Sequence, residues 1–373
     1  MNGKKVIVQI GSINHKLYPG GISSYFESII DYLNLTNQAV ISIEIGEKVG
    51  VSGKRIFFSS FRHSAVVRML MMRNLLTAID KRFGDVVFVA HYLPTIFLSL
   101  PFLFRSHSVF HFHGCAFLEA QIEGKNKLYV QLLKWFEQLI YPRFQQIIVL
   151  SDYSKSLLID QFKVNPAQVI VVPYSFNGDL LNIPAICHQK AALLTPTFRI
   201  SCVRRLYKRM GIIHLLEAVK SLLEAGYALE LFIIGDGALF NLFKTYIEQH
   251  HLQGHVFLLG KVSNEVLHEY LTSSHLTVVP SVDLEGFGIA IIESLQRGTP
   301  CLGTSVGGIP EILQKIDPRL LIDENNPNGI RAKLQYYLDS PASLPSPTEL
   351  LIRTKAAFAY EVNYPRLLTV YHG

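Results

Sequence analysis

The sequence contains little of what stabilises small secreted domains or anchors a chain in a membrane. Only four of its 373 residues are cysteines, and none of them forms a Cys-x-x-Cys pair. This spacing argues against a disulfide framework or a cysteine zinc site and favours a reduced, cytosolic setting. The longest apolar region, residues 86–104, is interrupted by His91, Pro94 and Pro101, whereas a membrane-spanning helix needs about 20 consecutive apolar residues. The apolar stretch at the N-terminus is too short for a signal peptide.

Charged residues are also scarce, and their signs are unevenly distributed. They make up 17% of the chain against 49% hydrophobic residues, which is the composition of a globular protein long enough for two domains. Residues 1–180 contain 18 Lys or Arg and 12 Asp or Glu, whereas the remainder contains 17 of each. A basic excess in the N-terminal half favours an anionic partner, such as a membrane surface or a lipid phosphate. Nucleic acid is not expected, because no nucleic-acid-binding motif is present.

Strand-like and helix-like segments alternate in two successive sets, separated by a predicted linker at 178–196. Such alternation predicts parallel sheets with right-handed crossovers, and therefore an α/β protein with two Rossmann-like halves. The predicted strands are 6–11, 85–90, 108–112, 147–150 and 169–173 in the first set, and 198–203, 229–235, 256–259 and 276–279 in the second.

The most informative stretch is 280–293, PSVDLEGFGIAIIE. A strand-like run ends in a loop that contains Gly286 and Gly288, and a helical pattern follows at once. Glu285 lies where the loop meets this helix, whose free N–H groups favour an anion such as a diphosphate. The neighbours of Glu293 are apolar on several faces, so its carboxylate needs a partner, and the two hydroxyls of a ribose would suit it. The alternative is a glutamate on the one solvated strip of the helix.

The pattern Glu285-x7-Glu293 within P-S-x-x-E-G-F-G resembles the signature of retaining GT-B glycosyltransferases of family 4, also called the group 1 glycosyl transferases. The resemblance implies that Glu285 contacts the hydroxyls of a donor sugar and that Glu293 binds the ribose of its nucleotide. It also implies donor contacts around the motif and in the segment near the nucleobase, from Ser281, Gly286, Phe287, Gly288, Ile289 and Val262.

The resemblance covers nearly the whole chain and implies a GT-B architecture, in which two Rossmann-like βαβ domains face a central cleft. On this basis residues 1–177 form an N-terminal acceptor-binding domain, and residues 178–354 form a C-terminal domain that binds a nucleotide sugar. A terminal helix at about 355–373 is expected to pack back onto the first domain.

A basic segment, RRLYKRMG at 204–211, follows one predicted strand and precedes a helix. The resembled family has Gly-Arg-Leu, three residues and Lys-Gly here, and its Arg and Lys neutralise a diphosphate. Arg205 matches the family Arg, whereas Met210 stands at the Lys position and Arg204 at the first Gly. We expect Arg209 or Arg204 to compensate, because arginine binds phosphate bidentately. The alternative is a solvated basic loop.

Two sites are predicted in the first half. Gly20 and Gly21 precede a helix, so the backbone there can approach a phosphate closely. The resemblance places this loop near the donor diphosphate, and a plain turn is the alternative. His113 follows a predicted strand, at the end where open α/β sheets bind ligands. The segment HFHG resembles the one that carries the family's active-site histidine, and a structural histidine is the alternative.

A basic helix predicted within residues 60–83 has two interpretations. Its apolar residues recur at helical spacing with arginines and lysines between them. Such a helix can lie on an anionic membrane surface, or it can pack on the core with a solvated basic face.

The implied function is a retaining transfer of sugar from a nucleotide-diphosphate sugar to an acceptor hydroxyl, with His113 and Glu285 as catalytic residues. A UDP-sugar is favoured and a GDP-sugar is the second choice. No cofactor or metal is expected, because arginines can stabilise the leaving phosphate electrostatically and no Asp-x-Asp motif is present. The expected acceptor is a saccharide or a lipid-linked saccharide of envelope polysaccharide or glycolipid synthesis. The expected location is the cytoplasm, with the inner face of the cell membrane as a further candidate.

Three alternatives from other classes remain open. A nucleotide-sugar epimerase or hydrolase could use the same architecture. A catalytically inactive binding subunit is suggested by Met210. A dinucleotide-dependent oxidoreductase is disfavoured, because the Gly-x-Gly at Gly235 lacks the third glycine and the later acidic residue that such a cofactor needs.

Overall fold

A computed structural model describes residues 5–13, 20–46, 48–60, 63–91, 93–104, 106–193 and 197–373. The chain divides into two compact units. The first comprises Met1–Gly114, Leu132–Asn177 and Tyr360–Gly373, and the second comprises Cys115–Gln131 and Gly178–Ala359. The last segment of the chain therefore belongs to the same unit as its beginning.

The first unit is built on an eight-stranded sheet with the order β3-β4-β2-β1-β5-β6-β7-β8, in which all pairs are parallel except β3 with β4. Ile7 in β1 lies opposite Val40 in β2 and Val87 in β5, so β1 is a central strand. Every residue of β5 is buried, as expected of a parallel strand covered on both faces. The strands are β1 Val6–Ile13, β2 Ala39–Gly46, β3 Gly50–Ser52, β4 Arg55–Ser60, β5 Val86–Ala90, β6 Ser108–His111, β7 Gln146–Val149 and β8 Val169–Val171.

The helices of this unit include two long ones that the sequence pattern predicts. Helix α2 buries Met72, Leu76 and Ile79 and exposes Arg73, which supports the core-packed interpretation of the basic segment. Arg62, which belongs to the same basic segment, lies outside the described residues. The helices are α1 Gly21–Leu35, α2 Ala65–Phe83, α3 Leu93–Ile96, α4 Leu100–Leu103, α7 Asp152–Phe162, α16 Tyr360–Asn363 and α17 Pro365–His372. Two more, α5 Ala116–Ile122 and α6 Lys127–Ile140, begin in the segment that belongs to the second unit.

The second unit is built on a parallel six-stranded sheet with the order β11-β10-β9-β12-β13-β14. Strands β9 and β12 are hydrogen-bonded neighbours at its centre, with Thr277 opposite Ser201. The loops that follow these two strands therefore emerge side by side at one sheet edge. The strands are β9 Phe198–Val203, β10 Leu229–Ile234, β11 Val256–Gly260, β12 Leu276–Val279, β13 Cys301–Thr304 and β14 Leu321–Ile322. The remaining helices are α8 Ile183–Leu193, α9 Ile212–Glu224, α10 Phe240–Gln249, α11 Asn264–Ser273, α12 Ile289–Leu295, α13 Ile309–Ile316, α14 Pro327–Asp339 and α15 Pro347–Phe358.

The predicted linker at 178–196 is wrong, because most of this segment is helix α8. Lys190 fixes the helix to the second unit. Its side chain is only 3% exposed, and its ammonium donates to Thr272 O at 3.2 Å, Ser274 O at 2.6 Å and Thr299 Oγ1 at 2.7 Å. A buried lysine with three acceptors is a tertiary contact that the composition of the segment does not reveal.

The single terminal helix predicted at about 355–373 is also wrong. Helix α15 ends at Phe358, Ala359 is extended, and α16 and α17 follow as separate short helices. Pro365 begins α17, as expected of a residue that lacks the backbone N–H needed inside a helix. Tyr364 is buried in the first unit, where its hydroxyl lies 2.7 Å from Ser28 Oγ and accepts from the Ser175 N–H at 3.3 Å.

Strands β2, β3 and β4 in the first unit, and β13 and β14 in the second, were not predicted. Within the part of the chain that the structure describes, no helix is both long enough and apolar enough to cross a membrane.

Candidate functional site

In the second unit the loops after β9 and β12 bring basic and acidic side chains together. Arg204 and Arg205 follow β9 directly, and Ser281 and Glu285 lie in the loop that follows β12. Because β9 and β12 are parallel neighbours, both loops leave the same edge of the sheet. This edge is where open α/β sheets bind ligands.

Arg204 and Glu285 form a largely buried ion pair. The same Arg204 Nη2 donates to Ser281 Oγ at 2.7 Å, and Ser281 Oγ donates to Glu285 Oε2 at 3.0 Å. Burial raises the pKa of Glu285, but the charges of Arg204 and Arg209 and the hydrogen bonds from Arg204 and Ser281 bring it below its usual value. Glu285 is therefore ionised at neutral pH. Among the described residues, the buried Arg204 Nε has no hydrogen-bond partner.

Met210, which stands at the family's lysine position, is buried beside this pair. Arg204 Nη2 lies 2.8 Å from the Met210 sulfur. The guanidinium of Arg204 thus lies beside the position at which the family pattern has a lysine.

Arg209 supports the loop that carries Glu285. Its Nη2 donates to Glu119 Oε1 at 2.6 Å, and its Nη1 donates to Leu284 O at 2.9 Å. Leu284 has a φ of 46°, in the left-handed region that is uncommon for a residue with a side chain. Burial lowers the pKa of Arg209, and the Glu119 carboxylate opposes that effect.

Arg205 is the exposed arginine of the three, with 59% of its side chain accessible. Its Nη2 lies 3.9 Å from Glu119 Oε1, and its guanidinium lies 5.7 Å from the Tyr207 ring centroid. Arg204 and Arg209 are held by short contacts to carboxylates, whereas Arg205 is held loosely. Arg205 therefore has the greatest freedom to contact an anion.

Two glycines allow the loops of this site to pack closely. Gly211 has a φ of 69°, and a Cβ there would lie 1.7 Å from Pro280 O. Gly307 has a φ of 59°, and a Cβ there would lie 2.0 Å from Glu285 O, which also accepts from the Gly308 N–H at 2.9 Å. A side chain at either glycine would displace the backbone that positions Glu285.

The rest of the predicted motif continues into α12. Gly286 is half-buried, and Phe287 is buried with its ring 6.1 Å from that of Phe358, so the Phe287 side chain belongs to the core. Gly288 has a φ of 107° and immediately precedes α12, whose first residue is the half-buried Ile289.

Glu293 lies half-buried on α12. Burial lowers the pKa of Arg297, and the charge of Glu293 opposes that effect. Glu293 thus has a cationic neighbour, and its carboxylate is on neither a fully solvated strip nor a fully buried face. Val262 is also half-buried, in the turn between β11 and α11.

In the first unit His113 belongs to a cluster of three histidines. His91 and His113 follow the neighbouring strands β5 and β6, and His111 is the last residue of β6. The rings of His91 and His111 stack with centroids 4.3 Å apart, and those of His91 and His113 are 5.5 Å apart. Desolvation lowers the pKa of His113 to about 4 and lowers the pKa values of His91 and His111 well below the usual range. All three are neutral at pH 7.

A chain of hydrogen bonds orients His113. His91 Nε2 lies 2.8 Å from the side-chain amide of Gln9. On its other side, His91 Nδ1 lies 3.3 Å from His113 Nε2, so the two rings share a hydrogen bond.

His111 is held from two sides by tyrosines. Its Nδ1 lies 2.8 Å from Tyr25 Oη and its Nε2 lies 2.8 Å from Tyr371 Oη. These two hydrogen bonds give His111 a structural role. The sequence left such a role open for His113, as the alternative to an active-site role.

Gly20 and Gly21 are exposed at the start of α1. A Cβ on Gly20 would meet nothing within 4 Å, so packing against the described residues does not require glycine there. The adjoining residues 14–19, which include Pro19, lie outside the described part of the chain.

The structure thus groups Ser281, Glu285, Arg204, Arg205 and Arg209 within the second unit. His113, Gly20 and Gly21 lie in the first unit. Sequence analysis did not identify His91 or Gln9 as partners of His113. The position of His91 after a predicted strand was a signal for it, whereas nothing in the sequence marks the left-handed Leu284. Among the described residues, no group of three or more histidine, cysteine or acidic side chains could hold a metal ion.

Two family models match the chain and together span both units. Residues 187–352 match "Glycosyl transferases group 1", and residues 39–177 match "Glycosyltransferase Family 4". The fold and these domains define a two-domain glycosyltransferase architecture. The chain belongs to the group 1, family 4 glycosyltransferases.

Curated relatives align over part of their length. The N-acetyl-alpha-D-glucosaminyl L-malate synthase of Bacillus anthracis is 35% identical over 27% of this chain and 26% of its own. The amylovoran biosynthesis glycosyltransferase AmsK of Erwinia amylovora is 27% identical over 56% of this chain and 50% of its own. An Escherichia coli UDP-Gal:alpha-D-GlcNAc-diphosphoundecaprenol alpha-1,3-galactosyltransferase is 26% identical over 52% of this chain and 51% of its own. The chain spans between a quarter and half of the length of these relatives.

Solved structures share the fold over nearly the whole chain. A sucrose-phosphate synthase from Thermosynechococcus elongatus matches with a TM-score of 0.81 and 18% identity over 99% of this chain and 98% of its own. Anabaena HepE, solved with UDP and glucose, matches with a TM-score of 0.76 and 14% identity over 99% of this chain and 100% of its own. The protein has the GT-B fold, with two Rossmann-like domains built on parallel sheets.

Proposed function

We propose that the protein is a glycosyltransferase of glycan or polysaccharide biosynthesis. The observation that carries this proposal is the cluster of Arg204, Arg205, Ser281 and Glu285 at the carboxyl ends of β9 and β12, within the group 1 glycosyltransferase domain. Several relatives act in such pathways by name, including the amylovoran enzyme and the galactosyltransferase.

The proposed donor is a nucleotide-diphosphate sugar, with a UDP-sugar favoured and a GDP-sugar second. Two features support an anionic ligand at this edge: the exposed guanidinium of Arg205, and the buried Arg204 Nε without a partner among the described residues. A buried N–H is normally satisfied, so an acceptor from a ligand would complete it. HepE, which shares the fold, has been solved with UDP-glucose.

Glu285 is proposed to orient the donor sugar and Glu293 to bind the ribose. The hydrogen bonds described for Glu285 use Oε2, which leaves Oε1 to accept from a sugar hydroxyl. Glu293 is half-buried, so an ionised carboxylate there can accept from two ribose hydroxyls. Backbone groups of Gly20, Gly21, Gly286, Gly288 and Ile289, with Ser281, Phe287 and Val262, are the remaining proposed donor contacts.

The proposed transfer proceeds with retention and without a metal or cofactor. The bond between the anomeric carbon and the β-phosphate oxygen breaks, the acceptor oxygen bonds to the same face of that carbon, and the leaving phosphate takes the acceptor proton. Arginines would stabilise the charge that develops on the phosphate, with Arg205 in direct contact. Neutral His113 would contact the donor sugar without adding a charge to the reaction centre.

The proposed acceptor is a saccharide or a lipid-linked saccharide, used at the cytoplasmic face of a membrane. The basic excess of residues 1–180 supports an anionic surface as partner. One relative acts, by name, on a diphosphoundecaprenol-linked sugar.

Calorimetry with UDP, GDP, ADP and TDP, in the absence of divalent metal, tests the donor site. We expect one diphosphate to bind the wild type, and Glu293→Ala and Arg205→Ala each to weaken it roughly tenfold or more, because each removes a charge-assisted contact of about 1.5–3 kcal/mol. Glu248→Ala, at an exposed position on α10, is the matched control.

Binding of none of the four nucleotides, or binding indifferent to Glu293 and Arg205, would contradict the site assignment. Donor binding without turnover for any acceptor tested would favour the inactive binding subunit that Met210 suggests. Sugar release or epimerisation in the absence of an acceptor would favour a hydrolase or an epimerase. The anomeric configuration of a transferred sugar tests retention.

A further inference from the structure

Helix α6, Lys127–Ile140, carries a stripe of large apolar side chains on its solvent side. The exposed fractions are 65% for Leu128, 57% for Leu132, 63% for Trp135 and 41% for Leu139. Spacings of four, three and four residues place these side chains in one row along the helix. We call this row the apolar stripe. Leu132, Trp135 and Leu139 belong to the first unit, and Leu128 precedes them on the same helix.

The stripe is part of a larger apolar surface. Tyr129 is also more than half exposed. Phe97, 42% exposed, has its ring centroid 5.3 Å from that of Phe136 on the same helix. Single exposed apolar residues are normal, whereas contiguous ones mark a surface that contacts a partner.

A polar row runs beside the apolar stripe. Lys127, Gln131, Lys134 and Gln138 repeat the same spacing one residue earlier, so they line one flank of the stripe. The only acidic residue of the helix is Glu137, which is buried and accepts from the Tyr141 hydroxyl at 2.8 Å. The charged residues of this helix that reach solvent are therefore both cationic.

This combination matches an anionic lipid surface. A helix that lies on a bilayer buries an apolar face and sets basic side chains against anionic headgroups. Tryptophan is enriched at the boundary between headgroups and acyl chains. A second copy of this chain would present the same cationic flank, so charge complementarity favours the lipid.

We propose that the apolar stripe of α6 is the surface through which the protein binds an anionic membrane. This inference rests on the proposed use of a membrane-associated acceptor, but it does not involve the donor site. The proposed surface lies on a different helix from the one that the sequence suggested for this role. Helix α2 buries Met72, Leu76 and Ile79 in the core, and it exposes Val66, Val67 and Leu70 near its N-terminal end.

Trp135 is the single tryptophan of the protein, so tryptophan fluorescence reports on the apolar stripe. We expect its fluorescence to shift to shorter wavelength on addition of vesicles that contain phosphatidylglycerol, and to be quenched by brominated lipids. Pure phosphatidylcholine vesicles should produce a much weaker change, and salt should weaken binding to the anionic ones.

The variants Leu132→Gln and Leu139→Gln keep the reporter and remove apolar area. Each should weaken binding to anionic vesicles roughly tenfold or more, because a buried leucine contributes about 1.5–3 kcal/mol. Leu180→Gln, at a position 77% exposed in the second unit, should bind like the wild type. Nucleotide binding by each variant, measured by calorimetry, tests separately whether the fold and the donor site are intact.

Wild-type protein that leaves the tryptophan spectrum unchanged with anionic vesicles would overturn the proposal. So would Leu132→Gln and Leu139→Gln variants that bind vesicles as tightly as Leu180→Gln. A concentration-dependent dimer in sedimentation that Leu132→Gln abolishes would assign the stripe to a second copy instead.

Discussion

At the residue scale, this chain departs from the family pattern at Arg204 and Met210, and these two side chains are in contact. A lysine and a glycine of that pattern are replaced by Met210 and Arg204, and the arginine guanidinium lies against the methionine sulfur. A guanidinium therefore lies beside the position at which the family pattern has a lysine, and it is paired with Glu285. The exposed Arg205 keeps the position that matches the family pattern.

His113 has the clearest pH-dependent consequence for stability. Its pKa is about 4 in the folded protein against 6.5 for an ordinary histidine. Between these pH values the unfolded chain binds more protons than the folded one, so the free energy of unfolding increases with pH. The stability that neutral His113 contributes is lost as the pH falls from about 6.5 towards 4. The shifts of His91 and His111 act in the same direction.

We predict that the free energy of unfolding falls steeply between pH 6.5 and 4 in urea titrations. A shift from 6.5 to about 4 corresponds to roughly 3 kcal/mol from His113 alone. His113→Gln should flatten this dependence, because glutamine does not titrate. His188→Gln, at an exposed position on α8, should keep the wild-type slope. Equal slopes for wild type and His113→Gln would show that His113 is not protected from protonation by the fold.

At the scale of elements, α8 is a helix that one buried side chain, Lys190, anchors to the second unit, although the composition of the segment resembles a linker. Lys190 reaches three acceptors, and the hydroxyl of Thr299 in turn donates to Leu271 O at 2.6 Å. Burial lowers the pKa of Lys190 to about 7. The three acceptors oppose this effect, because they match the three N–H donors of the charged ammonium form of Lys190.

We predict that Lys190→Met destabilises the protein by about 2 kcal/mol, because two buried carbonyls lose their donor. The loss should appear in urea unfolding and as faster hydrogen exchange in α8. Gln189→Met, at the neighbouring exposed position, is the control and should change stability little. A Lys190→Met protein as stable as this control would mean that helix packing alone holds α8.

At the scale of the whole molecule, the C-terminal segment Tyr360–Gly373 belongs to the first unit, although the residues before it belong to the second. Its tyrosines are buried among residues far away in sequence. Tyr364 bonds to Ser28, and Tyr371 bonds to His111. The first unit is therefore completed by the end of the chain.

We predict that deletion of Tyr360–Gly373 destabilises the first unit more than the second. Hydrogen exchange measured by mass spectrometry should rise in β6 and α1, which lose buried hydrogen bonds, while β9 and β12 change less. A chain that lacks only Gly373 is the control. Equal protection of β6 in both shortened chains would contradict the prediction.

Much of the fold could be predicted from the sequence. Apolar runs with helical segments between them identify most of the central strands, and the turn glycines around Glu285 mark the site loop. Prediction failed where the signal was tertiary. Strands β3 and β14 have only three and two residues. The segment of α8 resembles a linker in composition, and the terminal helix is interrupted at Ala359.

What the sequence by itself determined is the alternation of strands and helices in two sets and the residue types that each loop presents, because apolar periodicity and glycine act over a few neighbouring residues. The tertiary structure alone decided that Arg204 meets Glu285 across 81 positions, that His113 lies within hydrogen-bonding distance of His91, and that α6 presents a row of apolar side chains to solvent. These outcomes depend on which strands are neighbours in a sheet and on which helix face is covered. Both are set by contacts between residues far apart in the chain.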